Sequence, residues 1–492
     1  MSSIAHPSPA LTSEKNTFTE IPTLLKNTSP ESAGNSDTGS EHSTVEKGII
    51  GWEGYDQTPL PEKTQGHFAR NARHQIFSLY RRLFGVVFAT NMGVLIATFV
   101  KGGLNVSAQH LGLIVISNLF VSIVMRQDYV INAWFLVFTS VPLSFPLFIR
   151  RIAARVHHIG GFHSGCAVSG TIWFIPFTVQ ATREMANGGK ASPALVGVAY
   201  AILTLLIGML ILAYPAFRRD HHDAFERTHR FAGWSATALF WCLVLFLVRD
   251  YKAPELTLGK ALVKSAPFWL LLILTLSIIS SWLRLRKVNV RAEVLSNHAV
   301  RYYFDYVNRT YPGQFIRLSD KPLTEWHSFA AIAVPGVKGY SAVLSRAGDW
   351  TSGQISEPPS KIWVRGVPCY GALTVSCLFR RVVFVATGSG IGPIAPWIFD
   401  GKVPSKLLWT APNVRQTFGD NLVDAVLKAA PDAVIYDTRT HGKPDMVKLV
   451  YHLVKETNAE AVCIISNQKL TEKVVYGMMS RGIPAIGAIW DS

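Results

Sequence analysis

Long apolar runs alternate with short polar and basic stretches from about residue 67 onward. Seven of these runs are long enough to form helices, and they cover residues 83–100, 109–125, 131–149, 158–182, 193–214, 229–248 and 266–283. A helix of about 20 apolar residues crosses the hydrocarbon core of a bilayer. The pattern therefore predicts a multi-pass α-helical membrane bundle over residues 67–286.

Basic stretches orient these segments. Arg and Lys collect after residues 149, 214 and 283 and again around Arg70–Arg82, and cytosolic loops carry an excess of both. Seven crossings would place Arg70–Arg82 on the outer side. We therefore predict about six crossings, with residues 131–149, which contain Pro142 and Pro146, as a re-entrant or interfacial piece. The alternative is that residues 131–149 cross and the charge rule fails at the N-terminus.

The periodicity changes at about residue 287. Short β-type runs separated by turns predict a β-barrel over residues 287–372. Strands then alternate with helices over residues 373–492, and this alternation is typical of a parallel sheet with crossover helices. The predicted order is membrane bundle, barrel and α/β domain.

Composition supports the same division of the chain into regions. Residues 1–66 are rich in Ser, Thr, Pro, Glu and Gly, which predicts a disordered cytosolic tail without a cleavable signal peptide. The whole chain is 49% hydrophobic and 16% charged, as expected of a mixed membrane and soluble protein. Its net charge of +16 reflects basic loops, and no basic face with interleaved aromatics suggests a nucleic-acid partner. The five cysteines form no C-x-x-C pair, so neither a zinc site nor a disulfide framework is predicted.

One glycine-rich turn carries the clearest chemical signal. It follows the apolar run 381–387 and consists of Gly388, Ser389, Gly390, Ile391, Gly392 and Pro393. Glycines at the end of a strand let the backbone approach a pyrophosphate, and the next helix offers free N–H groups. The turn predicts a dinucleotide site, with an ordinary tight βα turn as the alternative.

Two further motifs lie in the predicted barrel. Pro312-Gly313-Gln314-Phe315 indicates a turn and a strand, and His327-Ser328-Phe329 ends a second strand. Taken alone, both could be ordinary barrel core.

In order and spacing, these motifs resemble the ferredoxin-reductase module of ferric reductases and NADPH oxidases, over roughly residues 290–492. The resemblance implies that His327, Ser328 and Phe329 bind FAD, that Gly388–Pro393 binds NAD(P)H, and that Trp490 covers the flavin ring. For Trp490 the alternative is a tryptophan packed at the end of a strand. Two departures stand out. His327-Ser328-Phe329-Ala330 replaces an HPFT-type motif, and Ser466-Asn467 replaces a Cys-Gly-Pro sequence. Arg415 and Arg439 are candidate partners for the 2′-phosphate of NADPH.

The helical half resembles the same superfamily, and the chain as a whole resembles the fungal TmpA-type transmembrane flavoproteins. Such families hold two haems with two histidines on each of two helices, about fourteen residues apart. Here Thr171 and Cys242 stand near the second positions. The resemblance therefore implies at most one haem, held by His157 and His229, with His163 a poorer partner on the opposite helix face. The alternative is that these histidines only lie near lipid headgroups.

Together these features predict an integral membrane protein of the plasma membrane or an endomembrane, with its reductase module in the cytosol. Electrons would pass from NAD(P)H through FAD to an unknown acceptor. The resemblance also implies a role in developmental signalling. The competing hypothesis is a catalytically degenerate sensor that binds nucleotide or flavin and reports redox state.

Overall fold

The computed structural model describes residues 51–103, 106–305, 310–333 and 338–488. Trp490 and most of the predicted tail lie outside these ranges. Eleven helices precede the β-structure: α1 His67–Asn71, α2 Leu79–Gly102, α3 Ala108–Val124, α4 Asp128–Thr139, α5 Leu147–Ala153, α6 Gly160–Ala186, α7 Pro193–Leu212, α8 Pro215–Asp220, α9 His222–Tyr251, α10 Leu258–Lys264 and α11 Ala266–Trp282 within the described part of the chain.

The helical part packs around α6. Its Trp173, Phe174 and Phe177 are fully buried. Polar side chains join it to its neighbours, because Asn91 of α2 accepts hydrogen bonds from the Trp173 indole and from Asn118 of α3, both at 3.0 Å. Paired polar groups of this kind fix the register of helices in an apolar surrounding.

Within the residues that the structure describes, three helices are long and apolar enough to cross a membrane, namely α2, α7 and α9. The count rises to five if each of two bent pairs is one span, α3 with α4 at 71° and α10 with α11 at 75°. Helix α6 is not among them, since Gly, Ser, Thr and His residues lower its hydropathy. The predicted six crossings are therefore not confirmed.

The predicted interfacial piece, residues 131–149, breaks into separate short helices. Gln127 caps α4 by accepting from the Tyr129 and Val130 N–H groups, which lets the chain turn after α3. Helices α4 and α5 then pack on the β-structure. Ala153, Ala154 and Val156 join the same apolar cluster as Val375 and Leu378.

The first β-unit contains strands β1 Arg286–Asn289, β2 Arg291–Val294, β3 Ala299–Phe304, β4 Gln314–Ser319, β5 His327–Ala330, β6 Tyr340–Ser345, β7 Lys361–Val364 and β8 Cys369–Tyr370, with α12 Asp349–Ser356. They form two antiparallel sheets, one in the order β1-β7-β4-β5 with β8 beside β4, the other β2-β3-β6. Tyr302, Leu318 and Leu344 lie in the shared core.

The second unit is the predicted α/β domain. Its strands are β9 Val382–Thr387, β10 Ser405–Ala411, β11 Val434–Asp437, β12 Ala461–Ile465 and β13 Ala485–Gly487, and its helices are α13 Ile391–Asp400, α14 Val414–Phe418, α15 Asp420–Ala429, α16 Met446–Thr457 and α17 Gln468–Met479. All strand pairs are parallel, in the order β11-β10-β9-β12-β13. The described chain thus runs from helices through an antiparallel β-unit to an α/β domain.

Part of the predicted disordered tail packs on the α/β domain. Trp52 lies edge-on to Tyr436 at 5.0 Å between ring centroids, and Thr58 Oγ1 is 2.7 Å from His452 Nδ1. The Thr64 N–H donates to Ser480 O. The tail boundary at residue 66 is therefore wrong for residues 51–66, because a few apolar side chains among the polar ones find a surface to cover.

Candidate functional site

The strongest site candidate lies at the carboxyl edge of the parallel sheet. Strand β9 is central, and the chain leaves it for β10 on one side while β12 pairs on the other. Ligands of open α/β sheets bind in the crevice at such a reversal of strand order. The turn Gly388–Gly390 opens directly into this crevice.

Polar groups from neighbouring strands meet there. Thr387 Oγ1 at the end of β9 lies 2.6 Å from Ser466 Oγ after β12, so one hydroxyl donates to the other across the crevice. The Trp409 indole donates to Gly388 O at 3.0 Å and fixes the turn. Gly388 has a φ of +51° and open space around it, and Ser389 is exposed.

The six predicted residues divide into two groups. Gly388 and Ser389 border the crevice. Gly390, Ile391 and Gly392 are buried, and Pro393 is half-buried in the first turn of α13. A Cβ on Gly390 would lie 2.2 Å from Ile465 O, so this glycine is required by the contact of the turn with β12. Of the six motif residues, Gly388 and Ser389 are therefore the two that offer surface to a ligand.

The two predicted phosphate partners differ in availability. Arg415 is bound to Asp420 at 2.9 Å and Asp424 at 2.8 Å, and the hydrogen bond to Asp420 raises its pKa. Arg439 is exposed and makes no ion pair with the described residues, while its N–H donates to Asp437 Oδ1 at 2.8 Å. Arg439 is therefore the cation that remains available at this edge.

Sequence reasoning missed Asp437 and Thr387. The Asp437 carboxylate accepts from the Asn413 and Arg439 N–H groups and links the ends of β10 and β11. Both residues end strands of the parallel sheet, and that position was the available signal, since carboxyl ends of parallel strands gather at one edge.

The predicted flavin residues do not share a face of the barrel. His327 stacks on Trp350 of α12 at 4.1 Å, and Phe329 lies 5.8 Å from the same ring. Across the β4–β5 ladder they pair with Leu318 and Ile316 of the barrel core. Side chains alternate along a strand, so Ser328 points to the opposite, exposed face.

That opposite face carries Arg317, and α4 covers part of it. Arg317 pairs with Asp128 of α4 at 3.0 Å. Asn132 donates to Pro368 O at 3.0 Å and accepts from the Tyr370 N–H at 2.9 Å. Because of this packing and the divided orientation of the three side chains, the residues present do not fit a flavin held by His327, Ser328 and Phe329.

The cysteine on this face shows no sign of reactivity. Burial raises the pKa of the Cys369 thiol to about 12, and its sulfur lies 3.7 Å from the Arg317 guanidinium.

The predicted haem ligands are not brought together. His157 Nδ1 lies 2.7 Å from Ala154 O, and its ring is 4.1 Å from His158. The ring neighbours of His229 are Phe225 at 5.3 Å and His163 at 6.4 Å. Among the residues described, no three His, Cys, Asp or Glu side chains form a metal-binding group. The predicted haem is therefore not supported.

Comparison with known proteins gives one consistent result. A family model described as the C-terminal domain of adenylate-forming reductase 03009 matches residues 372–492. Two Coprinopsis cinerea proteins are similar over 92% of this chain: adenylate-forming reductase 03009 at 61% identity and adenylate-forming reductase 06235 at 59%. The chain covers 44% of each, so it spans less than half the length of these curated relatives. These comparisons do not show the resemblance to TmpA-type flavoproteins.

Solved structures are only distantly similar. A ferredoxin NADP⁺ reductase from Neisseria gonorrhoeae with bound FAD and NADP is 14% identical over 42% of this chain and 98% of that chain, with a TM-score of 0.35. A ferredoxin-NADP⁺ reductase from Plasmodium falciparum with 2′P-AMP gives 11% identity, 40% and 94% coverage, and a TM-score of 0.32. At these TM-scores the likeness carries no argument.

Proposed function

We propose that this chain is a membrane-attached, NAD(P)H-dependent oxidoreductase. The observation that carries the proposal is the crevice at the β9 reversal point, bordered by Gly388, Ser389, Thr387 and Ser466. The relatives that share 92% of this chain are named reductases, which supports a reductive role. This chain matches less than half of each relative, and the matched part is proposed to carry out the reduction step.

The residues of the crevice suit a nicotinamide dinucleotide. The backbone of the Gly388–Gly390 turn would approach the pyrophosphate, which would lie at the positive end of the α13 dipole. The Thr387 and Ser466 hydroxyls would orient the nicotinamide amide. Hydride, with its two electrons, leaves the nicotinamide ring for the acceptor, which also takes one proton.

Neither flavin nor haem enters this proposal. FAD would supply a change from two-electron to one-electron transfer, but the predicted flavin residues do not form a cradle.

Membrane attachment rests on hydropathy and on charge. Helices α2, α7 and α9 are long enough to cross, and the basic stretches after residues 149, 214 and 283 favour a cytosolic position for the β-structure. The bilayer and an electron acceptor are thus the proposed partners, besides NAD(P)H.

One contact favours a second candidate function, a nucleotide sensor. Arg150 of α5 is 2% exposed and binds Glu460, immediately before β12, through two bonds of 2.6 and 3.0 Å. Glu460 thus ties the nucleotide domain to the segment that follows α4. Nucleotide binding beside β12 would then be transmitted to the helical part without any chemistry.

Purified full-length protein in phosphatidylcholine nanodiscs separates the candidates. NADPH and NADH are titrated first, and coenzyme oxidation is then followed with menadione, a quinone that takes two electrons and two protons, as acceptor, together with acid-released flavin. Binding with oxidation supports the oxidoreductase. Binding without oxidation supports the sensor, and absence of binding overturns both.

A further inference from the structure

A cleft of about 450 Å³ lies between α9 and α11, close to the barrel. Binding sites for small molecules usually measure about 300–1,000 Å³, so the cleft is large enough for a ligand. Three indoles line it, those of Trp234, Trp241 and Trp282, and Leu323 of the barrel closes one end. The remaining lining residues are Ala, Ile and Thr, and none carries a charge.

The walls of the cleft have their own polar groups satisfied. The Trp241 indole donates to Thr275 Oγ1 at 3.0 Å, and the Thr275 hydroxyl donates to Leu271 O at 2.7 Å. Trp234 and Trp282 meet edge to face at 5.5 Å. What the cleft offers is therefore apolar surface, which a hydrocarbon chain would cover.

A cation without a counter-ion among the described residues lies against Trp282, one of the indoles that line the cleft. The Arg365 guanidinium is 4.8 Å from the Trp282 ring and 4.7 Å from the Trp326 ring. Its Nε is buried and has no hydrogen-bond partner, and the side chain makes no ion pair with the described residues. A buried guanidinium in that position costs free energy until an anion reaches it.

The carboxylates near Arg365 are already engaged. Glu226 pairs with Arg230, whose guanidinium also donates to Leu323 O at 2.9 Å. Asp128 pairs with Arg317 at 3.0 Å. Burial, followed by repulsion from Arg317 and Arg230, lowers the pKa of Arg365 to about 10. Each of these carboxylates therefore already has a cation of its own, and neither pairs with Arg365.

We propose that this cleft binds a single-chain amphiphilic carboxylate of the long-chain fatty acid class. The chain lies along the three indoles, and the carboxylate reaches Arg365, whose planar guanidinium matches a carboxylate in geometry. The unpaired guanidinium of Arg365 would neutralise the anionic head. The inference is independent of nicotinamide binding, since the crevice at β9 contributes no residue to the cleft.

The test uses the full chain in phosphatidylcholine nanodiscs and the probe 9,10-dibromostearate, whose bromine atoms quench nearby indole fluorescence. We expect quenching that saturates and that palmitate reverses. Ala238→Phe fills the cleft from an exposed position on α9 and should abolish the saturable part. Ala201→Phe places the same ring at an exposed position on α7 and should leave it unchanged.

The charge is tested separately. Arg365→Gln should weaken binding of the carboxylate by about ten-fold and that of the dibrominated alcohol hardly at all, while Arg365→Lys should retain most of the affinity. Quenching that never saturates, that survives Ala238→Phe, or that is as strong with a single-chain brominated ammonium amphiphile would overturn the proposal. Thermal unfolding of each variant verifies that the fold is intact.

Discussion

The α/β domain and the barrel carry motifs that resemble the same module, yet one motif borders an open crevice and the other packs against neighbouring side chains. In the α/β domain, the turn after β9 opens into a crevice with Ser389 exposed and two hydroxyls facing each other. In the barrel, His327 and Phe329 stack on Trp350, and Ser328 faces away. The glycine turn, whose site would be formed by backbone atoms, is open to a ligand. The side chains of the barrel motif are instead used for packing.

The physical reason lies in what each site requires. A glycine turn needs only a backbone path, and that path is fixed by strand order and by the contact of Gly390 with Ile465. A flavin cradle needs several side chains on one barrel face, and that face is decided by strand register. Substitutions in the α/β domain should therefore act through the backbone path, and substitutions in the barrel through side-chain contacts.

The largest effect should come from Gly390→Ala in the α/β domain. Its Cβ would lie 2.2 Å from the Ile465 backbone oxygen, so β12 or the turn must move, at a cost of at least about 3 kcal/mol. Thermal unfolding in nanodiscs measures this loss. Gly392→Ala is the control, because its Cβ would meet Val343 at an ordinary 3.9 Å. Equal stability of the two variants would contradict the packing role of Gly390.

Glu460→Gln should be next, because it leaves the buried Arg150 without its counter-ion, at about 3 kcal/mol. The hydrogen bond from Arg150 lowers the pKa of Glu460. The Arg150–Glu460 pair therefore contributes fully to the free energy of unfolding above the ordinary pKa of 4.5. This contribution is lost as the pH falls through the lowered pKa of Glu460. Denaturant titrations should show that acid-dependent part in the wild type and not in Glu460→Gln. Arg380→Gln, at an exposed contact of 3.9 Å, should change little.

A smaller effect is expected where α4 covers the barrel. Asn132→Ala removes two hydrogen bonds, to Pro368 O and from the Tyr370 N–H, worth about 2 kcal/mol together. Hydrogen exchange at the Tyr370 amide should become faster, whereas Ser140→Ala, which loses only a bond within its own turn, should not change it. If added FAD slowed Tyr370 exchange in the wild type, the covered face would be a flavin site after all.

Trp52→Ala should have the smallest effect, about 1 kcal/mol from the lost ring contacts with Tyr436 and His441. Limited proteolysis should then cleave residues 51–66 faster, with the rest of the α/β domain unaffected. Glu53→Ala, at an exposed neighbouring position, serves as the matched substitution. Unchanged cleavage would mean that other contacts hold the segment.

The sequence allowed the order of domains and the position of the nucleotide turn to be predicted, because both follow from local pattern. It did not allow the orientation of His327, since a shift of one residue in the β4–β5 ladder reverses every side chain. The pairing of His163 with His229 was missed for a related reason. Counting from His157 assumed one continuous helix, whereas residues 154–158 form a 3₁₀ turn and α6 begins at Gly160. Trp52 and Leu60 were missed because they are two apolar residues in a polar stretch. Both pack on the α/β domain.

The central claim, that the crevice after β9 holds a nicotinamide dinucleotide, is tested most directly at Ser389. Its side chain is exposed, so a substitution there costs no packing. The affinities of Ser389→Glu and Ser389→Gln for NADPH and NADH are measured by equilibrium titration of the full chain in nanodiscs. The account predicts that the carboxylate repels the pyrophosphate and weakens binding at least about ten-fold, while the amide of equal size stays near wild type. Equal affinities of the two variants for both coenzymes would contradict it.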